Sequence, residues 1–595
     1  MLTGSWRVKK YVLGVFLLLL TLLGSALFAR HELFRRAAKL PEFTRAGWVA
    51  STVELPMRDG VKLHTEIYVP EGLTRAPTIL VRNPYEYLKP IEAMQCQAMT
   101  RFGYACVLQD VRGQMDSEGD WEPIIHERED GLDTLAWLVK QPFVDGNIGM
   151  RGPSYLTCTQ WTVASELPPE VKTLVPSVFG TDLRKVFYER GLLRDDILTA
   201  WATLMPGRGM RQTAGSDYLE AASHRPSIEI DEKYMTRKLG WYRDALASSA
   251  PSSEYWQTEQ MKQFRAAPEH ATVPMLFVGG FFDPFFMAQR DTWERLATRD
   301  QSVFVIGPWN HLGLTSGDFD FVSAPGRLDQ WPLMLEWFDH TLKGQPLRKL
   351  VPGTVQTWGV GDDAFRSHPS WPSNEIPLTT YELGGAEQSN TCSGGVLSAT
   401  ATPSQTAQFT FDPAHPVPTR GGASLLSFAF FRNLGITPGP VEQGDSCTRD
   451  DVLTFRSEPS TAASRLSGSA RLELTVASSA PDTAFVARLI AEQDGQALLV
   501  RENAATLAYP TAEVTSPQAS TPGTPIELSI DFWPTEWVLP AGARWRIDVT
   551  SSSFPALHVH SNRAGAWQLE TGFDVATQTL MLGEGRARLE LPLVP

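Results

Sequence analysis

The stretch "GMRGPSYLTCTQW", residues 149–161, places Ser154 in a tight turn that leads directly into a helical pattern. An apolar step, a turn at a serine and then a helix form the context of a nucleophile elbow. A serine in a Gly-Pro-Ser-Tyr turn is also a common ordinary turn residue. Whether Ser154 is a nucleophile therefore depends on whether the chain supplies a base and an acid that orients this base.

The length and charge of the chain limit its architecture and its partners. Its 595 residues predict two to four domains, and 42% hydrophobic with 20% charged residues is typical of a globular protein. The net charge is −14, and Lys and Arg cluster only near the N-terminus. Because phosphate binding requires clustered basic side chains, we expect no nucleic-acid partner.

The N-terminus combines a basic start with an apolar run over residues 12–28. This run of seventeen residues lies between the lengths of a signal-peptide core and of a membrane-spanning helix. The small residues at 24–26 suit signal cleavage, whereas the arginines after them favour an uncleaved anchor, and a buried helix of the fold is the third alternative. We assign residues 1–45 to a signal peptide or membrane anchor with a linker. The protein is thus expected to be membrane-anchored or exported to the periplasm or the outside of the cell.

Beyond residue 46 the chain alternates between buried strand patterns and amphipathic helices. The strand patterns are "KLHTEIYVP", "TILVRNPY", "ACVLQDVRG", "VKTLVPSVF", "VPMLFVGGFFD" and "SVFVIGPWNH". This alternation predicts a parallel sheet covered on both faces, formed by residues 46–180 and 266–350. Residues 181–265 read as a helical insertion over the strand ends, a cap, with no convincing strand. From residue 351 to 595, alternating apolar runs between turn signals predict an all-β sandwich.

The ends of the predicted strands carry the two further residues that a serine nucleophile requires. "MLFVGGFFD" ends in Asp283 and "VFVIGPWNH" ends in His311. Taken alone, Asp283 is also compatible with a helix cap and His311 with a core histidine. Ser, Asp and His in this chain order at strand ends is the arrangement of an α/β-hydrolase triad.

Several further motifs resemble the CocE/NonD hydrolases, the group that includes cocaine esterases, X-prolyl dipeptidyl peptidases and α-amino-acid ester hydrolases. The motifs are "RNPYEY", "VLQDVRGQMDSEGDWEP", "QPFVDGNIGMRGPSY", "GGFFD", "GPWNH", "FDPAHPVPTRGG" and "DVLTFRSEP". The resemblance covers nearly everything after residue 50. It implies an α/β fold: an α/β-hydrolase domain with a helical cap insertion, followed by an all-β jelly-roll (galactose-binding-like) domain.

The resemblance also implies a role for each of five residues. Ser154 would be the nucleophile, His311 the general base and then acid, and Asp283 the acid that orients the histidine. The backbone N–H of Tyr155 and the hydroxyl of Tyr85 would hold the oxyanion. The expected partner is a small-molecule ester, amide or peptide substrate, with no cofactor.

Two positions depart from the family pattern. Thr157 stands where the elbow usually has a glycine, which implies a slightly shifted helix or a smaller residue opposite. Arg151 stands where a neutral or aromatic residue is more common, and we favour a solvated side chain over a substrate contact.

The sequence therefore predicts a serine hydrolase that cleaves an ester or amide acyl bond through an acyl-enzyme. One alternative is an X-prolyl dipeptidyl aminopeptidase, which would need a cap carboxylate such as Glu189, Asp195 or Asp196 to hold a substrate ammonium group. The alternative from another class is a catalytically impaired binding protein, favoured only by Thr157. Assembly of the chain into a homo-oligomer is a further alternative.

The five cysteines and a pair of histidines complete the candidate groups. The odd number of cysteines leaves at least one thiol free, and Cys392 with Cys447 is the expected disulfide because both lie in turn-rich sequence of the later region. His558 and His560 share one side of a predicted strand. Because no third ligand is evident, we interpret both as structural and predict no metal site.

Overall fold

The computed structural model describes residues 30–205, 218–235, 237–321, 324–326, 329–362, 364–373, 375–426 and 434–595. The apolar run over residues 12–28 lies outside the described residues. Within the described ranges, no helix has the length and apolar character needed to cross a membrane. Helix α1 is described over residues 30–37, and the phenyl ring of Phe34 contacts Trp331 at 5.2 Å between ring centroids. Part of the segment assigned to a linker therefore packs on the folded domain.

The first domain contains twelve of the strands in the described residues and most of the helices. In chain order its strands are β1 Trp48–Pro56, β2 Lys62–Pro70, β3 Ala76–Asn83, β4 Ala105–Asp110, β5 Val144–Pro153, β6 Val171–Ser177, β7 Tyr188–Glu189, β8 Leu192–Leu193, β9 Leu276–Phe282, β10 Val303–Asn310, β11 Thr354–Trp358 and β12 Phe365–His368. The α-helices are α2 Lys89–Arg101, α3 Glu127–Leu138, α4 Tyr155–Trp161, α5 Leu183–Phe187, α6 Leu198–Leu204, α7 Tyr218–Ser223, α8 Ile230–Tyr234, α9 Gly240–Leu246, α10 Glu259–Ala266, α11 Phe286–Glu294 and α12 Gln330–Lys343.

Ten of these strands form one sheet in the order β1-β2-β4-β3-β5-β6-β9-β10-β11-β12. The strands from β4 to β11 are parallel, whereas β1, β2 and β12 pair in the antiparallel direction. Strands β4, β9 and β10 are buried along their whole length. Their continuous apolar sequences follow from this burial, because helices cover both faces of a parallel sheet. The predicted α/β domain is confirmed.

The sheet extends beyond the boundary that the sequence predicted. Strands β11 and β12 lie after residue 350 but pair with β10, so the sheet ends at His368 and not at residue 350. The two strands are short and polar on one side, and their alternation resembles that of the following β domain. The insertion at 181–265 also contains a strand pair, β7 with β8, among the helices α5 to α10.

The second domain is β-rich, as predicted. Its strands are β13 Leu378–Gly384, β14 Gly395–Ser398, β15 Gln405–Phe411, β16 Leu453–Ser457, β17 Ser464–Gly468, β18 Arg471–Ser478, β19 Ala484–Gln493, β20 Gln496–Thr506, β21 Ile526–Asp531, β22 Thr535–Leu539, β23 Arg544–Thr550, β24 Ala576–Leu582 and β25 Ala587–Val594. All thirteen are linked by hydrogen bonds, and β14 with β16 is the parallel pair among them. The buried apolar side chains of both domains form one continuous core.

Two disulfides are present. Cys392 bonds with Cys447, as predicted, and Cys96 in α2 bonds with Cys106 in β4, which the sequence analysis did not pair. Cys158 is a free, buried thiol whose pKa is raised well above its ordinary value by burial. Because a thiolate is the reactive form, this thiol is unreactive at neutral pH.

Candidate active site

Ser154 lies at the turn between β5 and α4 in a conformation that side-chain-bearing residues rarely adopt. Its φ is 58° and its ψ is −131°, and its backbone N–H donates to the carbonyl of Ser177 in β6 at 3.0 Å. A Cβ at Gly152 would lie 2.4 Å from the Cβ of Leu156, so only glycine permits this close approach of strand and helix. The turn is the strained elbow that exposes a serine hydroxyl at the end of a strand.

Thr157 supports this turn through its hydroxyl. The side chain is fully buried, and its oxygen lies 2.6 Å from the Gly152 carbonyl and 2.9 Å from the Ser177 carbonyl. The same oxygen accepts the backbone N–H of Ser177 at 2.8 Å. The threonine thus links the strands on either side of the elbow. Where the family usually has a glycine, this chain therefore has a side chain whose hydroxyl is hydrogen-bonded. The sequence pattern did not predict this contact.

His311 and Asp283 meet at the carboxyl ends of the two neighbouring strands β9 and β10. The imidazole Nδ1 lies 2.9 Å from Asp283 Oδ1, which also accepts the backbone N–H of Phe285 at 3.1 Å. The carboxylate is fully buried, and the phenyl ring of Phe285 packs on the imidazole at 4.9 Å between centroids. An acceptor at Nδ1 keeps a proton on that nitrogen and leaves Nε2 as the basic atom.

Tyr85 comes two residues after β3 and presents its hydroxyl to Ser154. The distance from the Tyr85 hydroxyl to Ser154 Oγ is 3.3 Å. The Asn83 side chain fixes the backbone of Tyr85, because it accepts its N–H at 3.1 Å and donates to its carbonyl at 2.9 Å. Burial raises the pKa of the Tyr85 hydroxyl, although contacts with Ser154, Trp201 and the Tyr155 backbone act in the opposite direction. The hydroxyl therefore stays protonated and is available as a donor.

Tyr155 is held from two sides, so its backbone N–H has a fixed direction. Its hydroxyl accepts the Ile124 N–H at 2.8 Å and lies 3.3 Å from Glu127 Oε1. The indole of Trp201, from cap helix α6, stacks on its ring at 5.8 Å. Glu127 is paired with Arg82 at 2.9 Å, and burial raises the pKa of this carboxyl.

Glu127 and Arg82 were not among the site residues predicted from the sequence. Arg82 opens the "RNPYEY" motif and is fully buried, and a charged residue within the apolar strand pattern "TILVRNPY" was the available signal.

One pocket contains the hydroxyl of Ser154, the imidazole of His311 and the ring of Tyr85. It is lined by Tyr85, Tyr87, Leu88, Glu92, Gln95, Arg151, Gly152, Pro153, Ser154, Ser177, Val178, His311, Leu312, Gly313, Gln330, Trp331 and Met334. Its walls come from β5, α2 and α12. Of the five predicted site residues, Tyr85, Ser154 and His311 line this pocket, whereas Asp283 and Tyr155 lie behind its surface.

Arg151 is buried and not solvated, contrary to the sequence interpretation. Its side chain is 3% exposed, and Nη2 donates to Glu92 Oε2 at 2.8 Å. The guanidinium also lies over the ring of Trp331 at 5.2 Å. A charged residue within a strand is buried here because α2 supplies a carboxylate at the same depth, and strand periodicity does not reveal such a partner.

The three cap carboxylates lie at the contact between the cap and the β domain, away from this pocket. Asp195 Oδ2 lies 3.0 Å from His558 Nδ1, and Asp196 accepts from Arg194 at 3.0 Å. Glu189 lies 3.8 Å from the same guanidinium, and burial raises its pKa to about 7. None of the three lines the pocket that contains Ser154.

The two candidate histidines have carboxylate partners. His558 contacts Asp195 as described above, and His560 Nε2 lies 3.4 Å from Asp482. Burial lowers the pKa of His558. Among the residues that the structure covers, no group of three or more His, Cys, Asp or Glu side chains is arranged to hold a metal ion.

Comparison with known proteins gives matches to both domains. Residues 59–313 match the X-Pro dipeptidyl-peptidase (S15) family, and residues 345–589 match the X-Pro dipeptidyl-peptidase C-terminal non-catalytic domain. The chain is 30% identical to a cocaine esterase of Rhodococcus sp. (strain MB1 Bresler) over 579 residues, which is 92% of this chain and 98% of the relative.

Solved structures share the fold over nearly the same length. An α-amino acid ester hydrolase superposes with a TM-score of 0.77 at 22% identity, over 93% of this chain and 98% of its own. An aminopeptidase from a marine sediment Thaumarchaeota archaeon gives the same TM-score and identity, over 93% and 97% of the two chains. On the sequence likeness across almost all of both domains, the chain belongs to the CocE/NonD family of α/β-hydrolases and is a serine hydrolase.

Proposed function

We propose that the protein is an esterase that cleaves a carboxylic ester through an acyl-enzyme on Ser154. The observation that carries this proposal is the contact of His311 Nδ1 with buried Asp283 at 2.9 Å, since His311 lines the pocket where Tyr85 reaches Ser154. A serine hydroxyl is a weak nucleophile unless a neighbouring base removes its proton. These groups supply that base, its orienting acid and a donor for the oxyanion.

In the acylation step, His311 Nε2 takes the proton of the Ser154 hydroxyl while Oγ attacks the ester carbonyl. The carbonyl oxygen becomes an oxyanion, which the Tyr85 hydroxyl and the Tyr155 backbone N–H stabilise. Asp283 stabilises the imidazolium that forms and does not itself take the proton. Collapse of the tetrahedral intermediate breaks the bond to the alcohol, which leaves with the proton from His311.

In the deacylation step, water replaces the alcohol. His311 removes a proton from this water as the oxygen attacks the acyl carbon, and the same two donors hold the second oxyanion. The Ser154 Oγ leaves with the proton returned by His311, which frees the carboxylic acid and restores the enzyme.

The peptidase alternative is less well supported by the pocket. A dipeptidyl aminopeptidase needs an acidic group to hold the substrate α-ammonium group, and Glu189, Asp195 and Asp196 are all engaged elsewhere. Of the described pocket-lining residues, Glu92 is the one carboxylate, and it is paired with Arg151. The pocket thus favours esters over amino-acyl-prolyl amides.

The impaired-enzyme alternative rested on Thr157, and its support is weak. The threonine hydroxyl accepts the Ser177 N–H and contacts the Gly152 carbonyl, so this residue is compatible with a formed elbow.

Labelling with a fluorophosphonate serine probe tests the mechanism. We expect the wild-type protein to be labelled and Ser154→Ala to be unlabelled, with a loss of several orders of magnitude in kcat for Ser154→Ala and His311→Ala. Hydrolysis of p-nitrophenyl esters is measured beside hydrolysis of Ala-Pro-p-nitroanilide. Faster turnover of the anilide would reverse the assignment in favour of the peptidase, and an active Ser154→Ala would reject the mechanism.

We also propose that the N-terminal segment directs the chain to or across a membrane. The basic start and the apolar run over residues 12–28 support this location, and the two disulfides suit an oxidising compartment. The test is cell fractionation of the full chain against a chain lacking residues 1–29, which keeps α1 and its contact with Trp331. Recovery of the intact full-length chain in the soluble cytoplasmic fraction would contradict this proposal.

A further inference from the structure

The pocket that contains Ser154 has a charged end. Arg151 and Glu92 are 3% and 1% exposed and form an ion pair at 2.8 Å, yet both line the same pocket as the nucleophile. A buried ion pair adds little net stability compared with apolar side chains of similar volume. Stabilisation alone therefore does not account for a charged pair at this position, three residues before Ser154.

The pair is joined through one atom of each partner. Nη2 of Arg151 donates to Oε2 of Glu92, and no other hydrogen bond is made by either side chain within the described part of the chain. A carboxylate and a guanidinium in bidentate contact would use two atoms each. The single contact leaves one acceptor oxygen and at least one donor N–H unused in the same place.

The surroundings of the pair define the shape of the group that fits beside it. The Trp331 ring lies 5.2 Å from the guanidinium carbon, and Leu88 and Met334 line the pocket with apolar surface. The charges of the pair cancel. A charged ligand group that moved from water to this position would therefore lose its hydration and find no free counterion. A carboxylate would meet the charge of Glu92, and an ammonium group would meet that of Arg151.

We propose that the Arg151–Glu92 pair is a specificity-determining subsite for substrates that carry an uncharged group with both a donor and an acceptor, such as a primary carboxamide or a hydroxyl. The acceptor of this group receives an N–H of Arg151, and its donor gives a hydrogen bond to the unused oxygen of Glu92. The inference rests on the proposed esterase function, because it concerns the substrate of the same pocket.

Two matched series of esters test the subsite. In the first, p-nitrophenyl esters carry an acyl chain that ends in methyl, carboxamide, hydroxyl, carboxylate or ammonium. In the second, the same five groups end the alcohol chain of an acetate ester. In the series whose chain places its end group beside the pair, we expect kcat/KM for the carboxamide or hydroxyl ester to exceed that of the methyl ester. The expected ratio is about tenfold to a hundredfold, since hydrogen bonds to charged groups are stronger than those between neutral groups. The two charged esters should be slower than either neutral polar ester.

The double variant Arg151→Met/Glu92→Gln removes both charges at similar volume and leaves no unpaired ion. We expect it to abolish the preference, so that the methyl ester equals or exceeds the carboxamide ester. The matched control is Arg546→Met/Asp548→Asn, a buried pair at 2.7 Å in the β domain that should change stability and leave the order of substrates unaltered.

The outcomes separate this inference from the proposed esterase function. An unchanged order of substrates in the double variant, with ester hydrolysis and probe labelling retained, would overturn the subsite alone. A preference for the carboxylate ester that disappears in the double variant would also overturn it, in favour of an anion site. If the wild-type protein hydrolysed no ester of either series, the proposed esterase function itself would be rejected.

Discussion

The most direct test of the site geometry is the removal of a single hydroxyl at Tyr85. Tyr85→Phe deletes the donor that lies 3.3 Å from Ser154 Oγ and keeps the ring that packs in the pocket. Because burial raises the pKa of this hydroxyl, the wild-type group is a protonated donor throughout the working pH range. The lost contact with Ser154 is long and joins two neutral groups, so we expect the folding stability to change by no more than about 1 kcal/mol.

The effect on the reaction is expected to be larger. Negative charge accumulates on the carbonyl oxygen in the transition state, and a donor fixed beforehand contributes most there. Loss of one oxyanion donor costs about 10²- to 10³-fold in kcat, or about 2.7–4 kcal/mol. The ground-state ester carries little charge on this oxygen, so KM should stay nearly constant. Steady-state hydrolysis of a p-nitrophenyl ester measures both constants.

Two other tyrosines serve as controls for the Tyr85→Phe variant. Tyr87 lines the same pocket two residues away, and its ring lies 5.3 Å from that of Tyr85. Tyr104 is buried outside the pocket and donates to Asp339 at 2.7 Å. Replacement of Tyr104 by Phe should affect stability and not kcat. If Tyr85→Phe and Tyr87→Phe gave equally small losses of kcat, the oxyanion role of Tyr85 would be refuted.

Three further expectations concern the elbow, the cap and the domain contact. Thr157→Val leaves the buried Ser177 N–H without an acceptor and should lower the unfolding free energy by about 1–3 kcal/mol. Thr157→Ser keeps the acceptor and should not have this effect. Equal melting temperatures of the two variants would contradict this expectation. Burial raises the pKa of Glu189 from 4.5 to about 7, so the folded chain retains a proton that the unfolded chain releases, and stability falls as pH rises between these values. The unfolding free energy of Glu189→Gln should therefore exceed that of the wild type at pH 8 and approach it at pH 5. If the difference between the two did not change with pH, the titration of Glu189 would not be the cause of the pH dependence. Arg501 donates to the carbonyls of Phe281, Trp533 and Pro534, so Arg501→Met should cost about 2–4 kcal/mol in stability. It should also lower kcat, because Phe281 lies in β9 two residues before Asp283. An unchanged kcat would show that the β domain does not position the acid.

The local patterns of the sequence predicted the fold because each depends on near neighbours in the chain. Continuous apolar runs identified β4, β9 and β10, since strands covered on both faces need no polar side. A strand, a turn and a helix within thirteen residues indicated an elbow at Ser154, and the residues at two later strand ends distinguished it from an ordinary turn. Asp283 and His311 followed from the rule that the carboxyl ends of parallel strands meet at one edge of a sheet.

The end of the first domain was less evident. Strands β11 and β12 follow the last helix of the sheet, yet their composition is that of the β domain. Which sheet receives a short strand depends on the edge left unpaired in three dimensions, here that of β10. A chain ended at residue 350 would therefore lack part of the hydrolase sheet itself.

The sequence by itself determined the order of elements and the candidate nucleophile, base and acid, because a turn or a strand end is formed by adjacent residues. The two candidate oxyanion donors, Tyr85 and Tyr155, were implied by the family resemblance. The tertiary structure alone decided the partners of the buried polar groups. Arg151 meets Glu92 across 59 positions of sequence, and Arg501 meets the Phe281 carbonyl across 220. A buried charge needs a partner, but its identity depends on which helix or domain packs at that depth, and no local pattern of residues records this contact.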